Sequence, residues 1–194
     1  MRVASSRATQ LSAGFAYFIS FICLAPCCYG QQFGKTENLA PYIPSPQVVV
    51  EKMLEAARVK PGETVYDLGS GDGRIVITAA RLFKARAVGV ELSADLCRAT
   101  TEKVKSLGLD QQVKIIHGNL LKVDLSPADV VTLYLLTSSN DRLRPNLEKY
   151  LHPGARVVSN DFEVPGWKPD QVVKIAAGGL THNIYVYEIV ARKN

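Results

Sequence analysis

Asp67-Leu68-Gly69-Ser70-Gly71-Asp72-Gly73-Arg74 decides the fold, because a β-rich run at 64–68 passes straight into three alternate glycines and then into an apolar helical stretch at 75–83. Glycines at such a strand-to-helix turn let the backbone approach a ligand closely. A dinucleotide fingerprint would need a further glycine where Arg74 stands, and no phosphate-loop lysine follows, so nicotinamide, flavin and nucleoside triphosphate ligands are disfavoured. Asp67 and Asp72 put negative charge around the loop, which opposes a pyrophosphate and suits a ligand carrying ammonium and sulfonium groups. Glu91 closes the next strand, 18 residues after Gly73, where a carboxylate can accept hydrogen bonds from both hydroxyls of a ribose.

Working outward, Ser45-Pro46 supplies a cap and a proline for the first position of a helix. That helix carries Val48, Val49, Met53, Leu54 and Ala57 to about Arg58. Strands are expected at 87–91, 113–116, 129–135 and 156–160, with helices at 94–107 and about 141–151. The chain closes in two β-rich runs, 172–176 and 183–190, around Gly178-Gly179. Strands alternating with helices imply one α/β domain: a Rossmann-like, doubly wound seven-stranded sheet, mostly parallel, with a C-terminal antiparallel hairpin.

The formal charge of +5 suggests an anionic partner until its distribution is examined. Arg2, Arg7 and Lys35 precede the first acidic residue, leaving 20 basic against 18 acidic residues, too balanced for a dedicated nucleic-acid surface. Cys97 is alone in the domain, and His117, His152 and His182 lie at no metal-ligand spacing, so neither a disulfide nor a metal site is expected. Residues 1–30 contain an apolar run, 11–24, behind two arginines, which reads as a targeting or membrane-anchor segment. Residues 31–40 read as a linker, and the domain as 41–194. Arginines ahead of the run would send the domain across a membrane, whereas a ligand made and kept in the cytosol would hold it on the other side, so the side is left open.

DLGSGDGR at 67–74 with GVE at 89–91 resembles motif I and its acidic successor in class I S-adenosyl-L-methionine-dependent methyltransferases. The resemblance implies that cofactor, held by Asp67, Gly69, Gly71, Asp72, Gly73 and Glu91, with Asn119 after the third strand offering its amide oxygen to the adenine amino group. A turn cap is the alternative role for Asn119. APYIPSP at 40–46, DVVTLYLL at 129–136, LRPNLEKYLHPGARVVS at 143–159 and the later Gly166-Trp167 resemble a smaller group of protein-lysine methyltransferases, membrane-associated mitochondrial enzymes and bacterial relatives among them. That likeness implies a lysine-bearing protein substrate and favours an uncleaved anchor over a cleaved signal; a monomer is expected. Tyr134, at the carboxyl end of the fourth strand, is the catalytic candidate, able to hold a target amine, and Tyr42 is a candidate lid over the cofactor. Asp161, just past the fifth strand, could receive the substrate ammonium but reads better as a loop cap. Small-molecule or nucleic-acid methylation, or a cofactor-binding domain without turnover, are the competing functions; Tyr134-Leu135-Leu136-Thr137 lacks the Pro-Pro motif frequent in base amino-methyltransferases.

Overall fold

The computed structural model describes residues 42–191, so the apolar run, the linker and their roles in targeting lie outside the described residues. Seven strands form one sheet: β1 (Thr64–Leu68), β2 (Arg86–Glu91), β3 (Val113–His117), β4 (Val130–Leu133), β5 (Arg156–Asn160), β6 (Gln171–Ala177) and β7 (Leu180–Glu188). Their order is β3-β2-β1-β4-β5-β7-β6. The first five pair in parallel, while β7 runs antiparallel to both β5 and β6. Chain order turns outward from β1 in both directions, so the crevice over the carboxyl ends of β1 and β4 is the topological switch point, where open sheets of this kind bind ligands.

Four helices cover the two faces: α1 (Gln47–Ala56), α2 (Arg74–Phe83), α3 (Ala94–Ser106) and α4 (Thr137–Tyr150). One apolar core joins Val49, Met53, Leu54, Val76 and Val104 of the first three helices to Val65, Val130, Val158 and Ile184 of the sheet. On the opposite face Leu143 and Leu147 of α4 pack with Leu68, Val131, Leu133 and Val157. The alternation of these sheet positions is the two-residue period of strands buried on both sides. Among the described residues no helix is long and apolar enough to cross a membrane.

Several boundaries depart from the sequence reading. Pro46 is the cap residue rather than the first helical one: its carbonyl accepts from Val49 and Val50 at 3.0 and 3.1 Å, and the Ser45 side chain makes no cap bond. Val48 is exposed, and Val50 takes its place in the core. Helix α4 starts at Thr137, four residues before the expected Asp141, with Ser139 and Asn140 buried in its first turn. The Asn140 Nδ2 donates to Ser159 Oγ and to the carbonyls of Phe162 and Glu163, at 3.1–3.3 Å, fastening α4 to the exit of β5. Strand β7 begins at Leu180, directly after a two-residue turn whose glycines, Gly178 and Gly179, both have positive φ, as the tightest hairpins require.

At the amino-terminal edge of the sheet, Arg156 of β5 clasps Glu63 with two hydrogen bonds, at 3.1 and 2.6 Å, and both side chains are largely buried. Removing one partner leaves the other charge desolvated without compensation. Glu63→Gln is therefore expected to lower the unfolding free energy by about 2–4 kcal/mol in urea titration, with the denaturant slope unchanged.

Candidate active site

A cleft of about 310 Å³ opens at the switch point, a size suited to a small-molecule ligand. Tyr42, Asp67, Gly69, Gly71, Asp72, Glu91, Asn119 and Tyr134 all line it, so eight of the ten residues singled out from the sequence meet in one place; Gly73 and Asp161 do not line it. Gly73 belongs to the helix behind the loop. It has φ +74° and caps α2, and a Cβ there would lie 2.4 Å from Thr100 Cγ2 of α3, so its missing side chain serves helix packing and not the cleft.

The loop is fixed by backbone bonds. Gly69 and Ser70 donate to the Val90 carbonyl at 2.8 and 3.0 Å, and the Gly71 N–H donates to Glu91 Oε2 at 2.9 Å. Glu91 Oε1 accepts from Ser93 N at 2.8 Å, so both carboxylate oxygens are pinned by main-chain donors while each keeps a lone pair. Gly71 has φ +52°, and a Cβ would strike the Tyr42 ring at 2.5 Å; the ring lies across the loop at the cleft mouth. Ser70 Oγ is buried beneath the loop against Gly89 of β2, without a hydrogen-bond partner among the described residues. Val90, Leu92, Leu96 and Leu120 supply an apolar wall. A pinned carboxylate, an open backbone cradle and an apolar wall fit the ribose, the polar tail and the adenine of S-adenosyl-L-methionine respectively.

Charge in the cleft is less simple than the sequence implies. Asp72 is held by Arg74, whose Nε and NH2 donate to its two oxygens at 2.9 and 2.7 Å; that pairing keeps its carboxyl below the usual range and commits its charge. Arg74 also bonds the Ser45 carbonyl and interacts with the Tyr42 hydroxyl, so it ties the amino-terminal strap to the loop. Asp67 is buried, and burial pushes its carboxyl up to about 7, against the 2.8 Å hydrogen bond from Thr132 Oγ1 and with help from Glu91 and Asp72. Thr132 faces Asp67 across the β1–β4 register, a partner visible only once the strands are paired.

Asn119 Oδ1 accepts from Leu121 N at 2.9 Å, so it caps the short 3₁₀ turn at Leu120–Lys122 as the alternative reading of the sequence has it; one lone pair of that oxygen remains for the cleft. Tyr134 stands one residue beyond β4, its ring 6.1 Å from that of Phe162. Burial, with Asp161 beside its hydroxyl, raises its phenol above the ordinary range. The loop-cap reading of Asp161 is incomplete: besides accepting from Asn183 N at 2.9 Å it meets His182 Nδ1 at 2.7 Å and the Tyr134 hydroxyl. Tyr185 and Glu163 interact alongside. His182 and Tyr185 escaped sequence reasoning because they reach this place only through the antiparallel β5–β7 pairing, while Glu163 stands on the loop that leaves β5, two residues past Asp161.

Residues 67–171 match the family model described as the ANTKMT methyltransferase domain. A protein-lysine N-methyltransferase of Saccharolobus islandicus is 47% identical over 154 residues, which are 79% of this chain and 96% of that protein. An adenine nucleotide translocase lysine N-methyltransferase of Mus musculus is 35% identical over 149 residues, 77% of this chain but only 63% of that protein. Among solved structures, one from Salinibacter ruber, described as an RNA methyltransferase in complex with S-adenosyl-L-homocysteine, is 44% identical with a TM-score of 0.73, covering 78% of this chain and 97% of that one.

Two outcomes follow from the geometry. Gly73→Ala should destabilise the protein through the Thr100 methyl and the positive φ, and Thr100→Ser, which deletes that methyl, should recover part of the loss in thermal denaturation. The raised Asp67 carboxyl binds a proton that the unfolded chain releases near pH 4, so its contribution to stability is full below about pH 4 and is lost as pH rises through about 7. A cationic ligand favours the ionised form. Calorimetry should therefore find S-adenosyl-L-methionine affinity falling up to about tenfold per pH unit below pH 7, a dependence that Asp67→Asn flattens.

Proposed function

The chain belongs to the ANTKMT methyltransferase family, whose members use S-adenosyl-L-methionine, and from that premise we propose that it methylates the side-chain amine of a lysine in a protein. The observation that carries this reading is the chemistry beyond Tyr134: two carboxylates, Asp161 and Glu163, interleaved with Tyr134, Phe162 and Tyr185 at the carboxyl ends of β4 and β5. Carboxylates among aromatic rings suit an ammonium on an alkyl stem, by charge and by contact with ring faces. The same carboxylates oppose the phosphates that a nucleic acid would bring to that spot.

The cofactor supplies an electrophilic methyl group on sulfonium, a displacement that needs alignment more than covalent help. Glu91, pinned by Gly71 and Ser93, fixes the ribose end; Asp67 and the loop backbone face the cationic end; Tyr134 marks where an incoming amine must arrive. A lysine ammonium must lose a proton first, which from a reference pKa near 10.4 costs about 4–5 kcal/mol at neutral pH unless the site lowers it. The acidic and aromatic surroundings of Tyr134 are the place for that transfer.

Methylation of RNA is the second reading, favoured by the description of the similar Salinibacter ruber protein. We further propose that the apolar run at 11–24 is a membrane anchor, left uncleaved as the resemblance to membrane-associated relatives implies, which would confine the enzyme to acceptors near a bilayer. Incubation with methyl-labelled cofactor and separated protein and RNA fractions of a membrane extract tests these readings together. Label at lysine Nε, found by mass spectrometry and absent with Gly71→Val, is the expected result. Label in RNA alone would overturn the lysine reading, and full-length protein in the soluble fraction with its native amino terminus would overturn the anchor.

A further inference from the structure

Asp161 leaves β5 with φ +60°, a left-handed conformation that a non-glycine residue holds only where its surroundings enforce it. Here the enforcement is visible. Its N–H donates to the Asn183 carbonyl at 2.7 Å, its Oδ1 accepts from Asn183 N at 2.9 Å, and its Oδ2 lies 2.7 Å from His182 Nδ1. A carboxylate can only accept, so Nδ1 carries the hydrogen and donates it. His182 is 5% exposed, fixed on the face of β7 that also buries Ile184 and Val186. The carboxylate so oriented meets the Tyr134 hydroxyl, and Tyr134 lines the cleft.

The titratable groups facing Asp161 are few: Tyr134 from the end of β4, His182 and Tyr185 from β7, and Glu163 from its own loop. Burial holds the Tyr134 phenol protonated at neutral pH, which makes it a donor and not the proton acceptor. Neither Asp161 nor Glu163 lines the cleft itself, but Asp161 meets the Tyr134 hydroxyl at its wall, whereas Glu163 is exposed and interacts with the Tyr185 hydroxyl.

We propose that Asp161 takes the proton from the target lysine ammonium, and that His182 is the positioning residue that holds its carboxylate against Tyr134. The inference rests on the lysine reading above. An ammonium N–H bond breaks and its proton passes to a carboxylate oxygen of Asp161. The electron pair left on nitrogen forms the bond to the methyl carbon, while the carbon–sulfur pair stays on sulfur as the cofactor departs as a neutral thioether. The methylated amine carries the positive charge, and the Asp161 carboxyl returns its proton to water.

Three substitutions test the assignment. Asp161→Asn keeps the shape and tolerates positive φ, and is expected to lower kcat about 10²- to 10⁴-fold on the acceptor protein identified by labelling, with unchanged cofactor affinity. Its rate should climb about tenfold per pH unit in alkaline solution, where solvent removes the proton instead. His182→Leu should lower kcat, and His182→Asn, whose amide N–H can replace Nδ1–H, should restore most of it; a purely structural role would not separate these two at equal thermal stability. A binding arm needs no turnover: n-butylammonium, added to the enzyme with S-adenosyl-L-homocysteine, should shift the Asp161 carboxylate carbon resonance, and n-butanol should not. Unchanged kcat and pH profile in Asp161→Asn, equal kcat in His182→Leu and His182→Asn, or no response to n-butylammonium would each overturn the proposal. Wild-type enzyme that responds to n-butylammonium yet labels only RNA would instead sink the lysine reading, and with it the proton transfer.

Discussion

The 2.9 Å hydrogen bond from the Gly71 backbone to the Glu91 carboxylate joins the two halves of the ligand cleft, and most other features of the site are arranged around it. Gly71 must turn with positive φ for its N–H to point at β2, and it must lack a Cβ for Tyr42 to cross the loop. Gly89 has to be bare as well, since a Cβ there would meet Ser70 Oγ at 2.7 Å. The loop is thus pressed onto the end of β2 by its own backbone, which aims the carboxylate before any ligand arrives. Preorganisation of this kind avoids ordering costs on binding.

Electrostatics then divides the cleft into regions with separate tasks. Asp72 is neutralised by Arg74 and serves the strap that carries Tyr42, while Asp67, buried against Thr132, is poised to ionise as positive charge approaches. Beyond Tyr134 the Asp161 carboxylate lies on the far side, on the proposed path of an acceptor amine, with Glu163 further out beside Tyr185. A cationic donor and a cationic acceptor repel one another, and carboxylates on both flanks offset that repulsion.

Much of this was legible in the sequence, because a strand, a glycine loop and an acidic strand end report on one another at short range. Glu91 lies only 20 residues from Gly71, and their spacing carries the geometry. Gly73 shows the limit of motif reading: it belongs to the pattern, yet the atom it avoids is a methyl of Thr100 on another helix. The early start of α4 was not legible, because asparagine competes with helical hydrogen bonds and only the tertiary bonds of Asn140 to the exit of β5 hold it in the first turn. The Asp161–His182 pair was hidden for a different reason, since it depends on the antiparallel register of β5 and β7, which no local pattern fixes.

The central claim is a preformed cleft in which a pinned Glu91 receives a ribose and Tyr134 with Asp161 faces the transferred methyl group. A crystal structure of the protein with S-adenosyl-L-homocysteine measures this most directly. Glu91 oxygens about 2.7 Å from the ribose hydroxyls, the Gly71 bond retained, and the ligand sulfur turned toward Tyr134 are the predicted result. A ribose held elsewhere, or a loop refolded so that Gly71 releases Glu91, would contradict the account.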